Sequence, residues 1–144
     1  MNHVINGLLA GLVATVVLSV LMVIKDMMGL MPDLNVIGML AAQMGSGPTM
    51  GWLAHIMIGV VGYGLAYSLL FRRLPLGGHG VRGILLGVVG WLVMMLALMP
   101  MMGGGLFGSG MPSGMMVPIA TLILHVIFGA VLGGVYGRLG HAEV

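Results

Sequence analysis

The chain has no cysteine and very little charge. Its 144 residues include three acidic residues and five lysines or arginines. Without cysteine it forms no disulfide, no thiolate metal site and no covalent haem attachment of the Cys-x-x-Cys-His type. A soluble domain usually has about 25% charged residues, whereas this chain has 6% charged and 60% hydrophobic residues. The composition is that of a membrane protein, and its few basic residues form no patch large enough for nucleic acid.

Four long apolar runs fill most of the sequence. They lie at about 4–24, 49–71, 83–102 and 117–138, and none has an acidic residue in its interior. A helix of about 20 apolar residues crosses the ~30 Å hydrocarbon core of a bilayer. We therefore predict an all-α, polytopic four-helix bundle that forms one transmembrane domain over 1–144. The first run lacks the basic segment of a signal peptide and is predicted to be a retained helix.

The basic residues predict the orientation of these spans. Arg72, Arg73 and Arg82 lie in the short link between the second and third runs, and Arg138 follows the fourth. The positive-inside rule then places this link and both termini in the cytoplasm. The longer links, 25–48 and 100–116, face outwards. In the first of them, Asp33 is predicted to cap a short interfacial helix whose apolar positions 36, 37, 40 and 41 share one face.

The sequence also contains an internal repeat. A displacement of 70 residues aligns the second run with the fourth, and one of 76 aligns the first with the third. The first alignment matches Pro48, His55, Gly59, Val61 and Gly64 with Pro118, His125, Gly129, Val131 and Gly134. The second matches Gly7, Leu9, Gly11 and Val13 with Gly83, Leu85, Gly87 and Val89. We predict two helical hairpins, 1–73 and 80–140, which are parallel because each has an even number of spans.

Many of the repeated residues are glycines at one-turn spacing. Small residues at this spacing let membrane helices approach closely. They predict tight packing inside the bundle, or docking against partner helices in a homo-oligomer or a larger membrane complex.

The repeated histidines are the most distinctive polar residues. An ionisable side chain inside a span is costly unless it is paired, hydrogen-bonded or ligating. His55 and His125 each follow a repeated proline by seven residues, about 10 Å along a helix, which predicts matching depths in the outer half of the membrane. Gly59 and Gly129, one turn further on, would leave room for a flat macrocycle beside each imidazole.

Two neutral imidazoles suit a six-coordinate haem iron. We therefore expect a b-type haem bound by His55 and His125 beside Gly59 and Gly129, serving electron transfer or haem sensing. In the alternative interpretation each histidine only holds two helices in register, for example by hydrogen bonding to a backbone carbonyl or to Thr121.

Methionine indicates a different cofactor. Twelve of the 17 methionines lie in the two longer links and their margins, and thioether sulfur suits Cu(I). The alternative copper ligands are Met28, Met31, Met99, Met101 and Met102. Methionine is also an adaptable apolar filler. If the methionines only fill space, the chain is a cofactor-free accessory subunit of a larger complex.

The remaining features add little specific chemistry. His3, His79 and His141 are predicted to be solvated, and the absence of hydrolase motifs argues against hydrolysis without excluding other enzymes. The glycine-rich first span and the stretch 27–36, MMGLMPDLNV, resemble a group of small bacterial membrane proteins of unknown function. The resemblance covers most of the chain and implies a four-helix membrane protein, but it implies no activity.

Overall fold

The fold is known from a computed structural model that describes residues 2–141. Its helices are α1 (His3–Met27), α2 (Val36–Gln43), α3 (Pro48–Arg73), α4 (His79–Met101) and α5 (Met116–His141). All except α2 are long and apolar enough to cross a membrane, and no strand occurs within the described part of the chain. The predicted all-α bundle with four membrane-spanning helices is confirmed.

Side-chain caps explain where the first two helices begin. The Asn2 side chain accepts a hydrogen bond from the Val4 N–H at 3.0 Å, which starts α1. The Asn35 side chain accepts from the Gly38 N–H at 2.9 Å, which starts α2. The predicted short helix is therefore present, but the prediction that Asp33 caps it was wrong, because the Asp33 carboxylate bonds to Ser113 instead.

The four spans form an open arc in the order α3, α1, α5, α4. Within it α1 packs against α3 and α5, and α4 packs mainly against α5, while α3 and α4 barely touch each other. We call the gap between α3 and α4 the seam. The loop 74–78 joins α3 and α4 at one end of the bundle, the arginine end, and α2 lies at the other, the α2 end.

Glycine brings the helix backbones together in each hairpin. In the first hairpin a Cβ on Gly11 would lie 2.7 Å from the Gly59 carbonyl oxygen, and one on Gly7 would clash with the Gly64 carbonyl. In the second hairpin a Cβ on Gly87 would clash with the carbonyl of His125. The prediction that these glycines pack helices inside the bundle is confirmed.

The second helices of the two hairpins differ in their winding. The α3 helix contains a π-helical segment at Ile58–Tyr63, whereas α5 is one uninterrupted α-helix. Because a π turn is wider than an α turn, a step of five positions along α3, from Gly59 to Gly64, matches one turn of α1. The hairpins are also out of register by about one turn, a larger shift than the single residue that the π turn adds, with Gly11 opposite Gly59 but Gly87 opposite His125.

Candidate functional site

A cavity of about 410 Å³ runs along the seam. Its back wall comes from α1 and α5, its sides from α3 and α4, and its cover at the α2 end from α2 and the residues before it. The volume lies within the ~300–1,000 Å³ range of small-molecule sites, and most of the lining is apolar. His55 and His125 both line this cavity, so the structure brings the two predicted residues to one site.

His55 is held in one tautomer by α1. Its Nε2 lies 3.2 Å from Ser19 Oγ, and the Ser19 hydroxyl donates its only hydrogen to the Thr15 carbonyl at 2.7 Å. Ser19 Oγ must therefore accept from the Nε2–H of His55. This leaves Nδ1 with a lone pair and no hydrogen-bond partner among residues 2–141. The edge of the Trp52 ring packs against the imidazole, with centroids 5.7 Å apart.

His125 is held in the opposite tautomer by its own helix. Its Nδ1 lies 2.7 Å from the Thr121 carbonyl oxygen, and a carbonyl only accepts, so Nδ1 carries the hydrogen. The Nε2 atom keeps its lone pair and has no hydrogen-bond partner in the described chain. Each histidine therefore makes the kind of backbone or hydroxyl bond expected for a helix-register role, yet each retains one acceptor nitrogen.

The two glycines predicted beside the haem are not equivalent. Gly59 lines the cavity, but a Cβ placed there would clash with the Thr15 hydroxyl. Gly129 lies outside the cavity, where a Cβ would clash with the Gly83 carbonyl of α4. The gap expected below His125 is thus filled by helix backbone, because α4 and α5 are in direct contact at this point.

Lys25 organises the cover of the cavity. Its ammonium donates to the carbonyl oxygens of Leu30, Met31 and Leu34 at 3.3, 3.4 and 2.9 Å, and it pairs with Asp26 at 2.7 Å. The Lys25 side chain is only 12% exposed. The sequence did not indicate this role, since the carbonyl partners lie up to nine residues away and only the folded loop brings them close.

Asp33 links the two longer loops. Its carboxylate accepts hydrogen bonds from the Ser113 hydroxyl and from the Ser113 N–H, the latter at 3.1 Å. The Ser113 hydroxyl bond is the largest cause that lowers the pKa of Asp33 below its ordinary value of 3.8. The ionised carboxylate therefore ties a loop of the first hairpin to a loop of the second.

The predicted copper ligands do not occupy one common environment. Met28 and Met101 are 66% and 64% exposed, whereas Met99 is fully buried. Met99 belongs to an apolar cluster at the α2 end with Met94 and Met95. Within residues 2–141, no group of three or more His, Cys, Asp or Glu side chains is placed to hold a metal ion.

A ring cluster at the arginine end was missed by the sequence analysis. The Tyr67 hydroxyl lies 3.0 Å from Nδ1 of His79, and the Tyr136 hydroxyl lies 3.4 Å from Nδ1 of His3. The two tyrosine rings are in contact, with centroids 4.8 Å apart. The prediction that His79 is solvated was wrong, because His79 is half-buried and bonded to Tyr67, whereas His3 is exposed, as predicted, and also contacts Tyr136. A signal was present, because these histidines also match at the displacement of 76 residues.

Another tyrosine lies part way along the cavity, between the two histidines and the arginine end. Tyr63 packs edge-on against Phe128 with centroids 4.8 Å apart, and its hydroxyl occupies the space that a Cβ on Gly90 would need. Tyr63 therefore bridges α3 to both helices of the second hairpin below the two cavity histidines.

Comparison with known proteins gives a family but no activity. The family described as "Family of unknown function (DUF6789)" matches residues 1–144. Neither a curated protein nor a solved structure matches the chain.

Proposed function

Because the chain belongs to that family of unknown function, its role has to come from its own residues, and we propose that it is a membrane haem protein. One b-type haem would lie in the seam cavity, with His55 and His125 as its two iron ligands. One observation carries this proposal. Two helices from different repeats bring an imidazole each to one apolar cavity, and each imidazole keeps one nitrogen without a partner in the described chain.

The surroundings of both histidines fit iron ligation. Metal-bound histidine usually donates its second N–H to a carbonyl, carboxylate or water, which fixes the ring and raises its basicity. His125 has the Thr121 carbonyl in this role and His55 has the Ser19 hydroxyl. Lys25 also lines the cavity at the α2 end, where its charge is paired with Asp26.

Ligation by two histidines favours electron transfer or haem sensing. An iron with six occupied positions has no site for a substrate, and its reduction potential depends on the ligands and on burial. We place the protein in a bacterial inner membrane with both termini in the cytoplasm, since three of its five lysines and arginines lie in or next to the link between α3 and α4. The haem would then lie towards the outer face, within a single chain or a larger complex.

Absorption spectra of the purified protein test the proposal. The wild type, produced with added haem, should show a Soret band and a sharp α band after reduction with dithionite. His55→Ala and His125→Ala should each lose most of the bound haem, whereas His3→Ala and His79→Ala should retain it because they lie at the arginine end. Haem binding unchanged in both cavity variants would overturn the proposal.

Copper handling is the alternative, and one contact supports it. The sulfur atoms of Met99 and Met111 both lie next to the position that a Cβ on Gly104 would occupy, so two soft ligands share one side of a loop. Copper and iron measured on the same purified sample separate the two proposals. Copper that is lost in Met99→Leu and retained in His55→Ala would favour the alternative.

A further inference from the structure

The link between α3 and α4 concentrates positive charge at one end of the seam. Arg72 and Arg73 end α3, and Arg82 lies in the first turn of α4. Within residues 2–141, none of the three forms an ion pair with a carboxylate. Three neighbouring guanidinium groups without an anionic partner in the described chain are a strong positive centre at a membrane boundary.

Hydrogen bonds fix two of these arginines relative to each other. Arg72 Nε donates to the Ser68 carbonyl at 2.5 Å. Arg82 reaches back across the loop, where Nε donates to the Leu76 carbonyl at 2.8 Å and Nη1 donates to the Arg72 carbonyl at 2.6 Å. Each guanidinium still has N–H groups that make no bond in the described chain. Guanidinium groups held in this way match the geometry of phosphate oxygens.

The seam cavity leads from these arginines into the membrane. On α3 its lining extends from Trp52 to Phe71, a distance of about 28 Å at 1.5 Å per residue. Phe71 directly precedes Arg72, and Leu86, which lines the opposite wall, lies one turn after Arg82. The space beside Gly62 is open, since a Cβ there would meet no atom within 4 Å. An apolar groove of nearly the full hydrocarbon thickness therefore begins beside the arginines.

We propose that the arginine end binds the phosphate of an anionic glycerophospholipid and that one of its acyl chains lies in the lower part of the seam. The arginines supply the phosphate contacts. The apolar groove beside them favours a lipid over a soluble anion, because it can hold an acyl chain. Basic pockets between membrane helices bind anionic lipid headgroups in this manner. The acyl chain would lie at the arginine end of the cavity and the haem at the histidine end, with Tyr63 and Phe128, which line the cavity, between them.

Native mass spectrometry of the detergent-solubilised chain tests this proposal with phosphatidylglycerol and phosphatidylcholine as probes. The wild type should retain phosphatidylglycerol in preference to phosphatidylcholine. Arg82→Gln should weaken phosphatidylglycerol binding by about fivefold, which corresponds to about 1 kcal/mol per arginine near the surface. Arg73→Gln should do the same without removing a backbone hydrogen bond of the loop. Arg138→Gln is the control: it removes the same charge from α5 and should have little effect on phosphatidylglycerol binding.

Two further measurements distinguish a lipid in the groove from a soluble anion and from general surface attraction. Gly62→Leu should fill the groove and reduce phosphatidylglycerol retention, while the arginine variants should leave any haem absorption unchanged. Equal binding of the two lipids, or an equal loss in Arg138→Gln, would overturn the proposal in favour of general surface attraction. Displacement of the lipid by millimolar inorganic phosphate, with no effect of Gly62→Leu, would instead identify a soluble-anion site.

Discussion

The two hairpins share a sequence pattern but differ in how their helices meet. In the first, α1 packs against a helix with a π-helical segment, and Gly11 lies opposite Gly59. In the second, α4 packs against a continuous helix, and Gly87 lies opposite His125. The repeat therefore preserves residue types at fixed spacing while the helix contacts shift by one turn. As a result, α1 bonds the side chain of one cavity histidine, whereas α4 packs a glycine against the backbone of the other.

Adding a methyl group at the two repeated glycines should show this difference most strongly. Gly129→Ala places a Cβ against the Gly83 carbonyl, which cannot move without separating α4 from α5, so we expect a loss of about 3 kcal/mol in unfolding free energy. Gly59→Ala meets the Thr15 hydroxyl, which can rotate, and should cost about 1 kcal/mol. Unfolding in mixed micelles by SDS titration measures both.

Gly134→Ala is the control for these two substitutions, because a Cβ there meets no atom within 4 Å. It should leave stability unchanged or raise it slightly, since alanine suits a helix interior better than glycine does. Equal losses in Gly59→Ala and Gly129→Ala would contradict the proposed difference between the hairpins.

The indole of Trp91 forms hydrogen bonds between α4 and α5, and within residues 2–141 they have no counterpart in the first hairpin. The Trp91 indole N–H donates to the Pro118 carbonyl and the Thr121 hydroxyl, both at 3.1 Å. Thr15, which occupies the matching position in α1, bonds only within its own helix. Trp91→Phe should cost about 1 kcal/mol in the same SDS titration. Trp52→Phe, whose indole N–H makes no hydrogen bond in the described chain, should have a smaller effect.

The tautomers of the two histidines distinguish their environments directly. Side-chain nitrogen chemical shifts from NMR should show Nε2–H in His55 and Nδ1–H in His125. Ser19→Ala should remove the tautomer preference of His55 and leave His125 unchanged. Thr121→Val should leave His125 unchanged as well, because the partner is the backbone carbonyl. A tautomer change of His125 in Thr121→Val would show that the hydroxyl was the partner instead.

The Asp33–Ser113 contact couples the loops of the two hairpins and should depend on pH. The folded state lowers the pKa of Asp33, so the ionised form stabilises folding above the ordinary pKa near 3.8 and loses that contribution as pH falls through the lower folded-state value. Thermal unfolding from pH 6 to pH 2 should show a small loss in the wild type. Asp33→Asn should lack this loss of stability at low pH, and Ser113→Ala, which keeps the backbone N–H bond, should show a smaller loss than the wild type. An unchanged pH profile in either variant would argue against the contact.

Local patterns predicted the helices well, because span length and glycine spacing are properties of single segments. They did not predict the order α3, α1, α5, α4, which depends on which glycine faces meet after insertion. The π-helical segment at Ile58–Tyr63 has no proline to mark it. Asn35 and Asp33 are equally good caps by residue type, and only the distant Ser113 decides between them. The sequence predicted that His55 and His125 share one site. It did not predict the other residues that line the cavity, because they depend on the gap between α3 and α4.

The arc order has a consequence for biosynthesis. The α5 helix leaves the ribosome after α1, α3 and α4, yet it lies between α1 and α4 and supplies most of the contacts of α4. Until α5 enters the membrane, α4 has almost no partner and its glycine face is open to lipid, whereas Gly7 and Gly11 of α1 already pack against α3. Assembly of the bundle therefore has to wait for α5, which completes the second hairpin and packs it against α1 of the first.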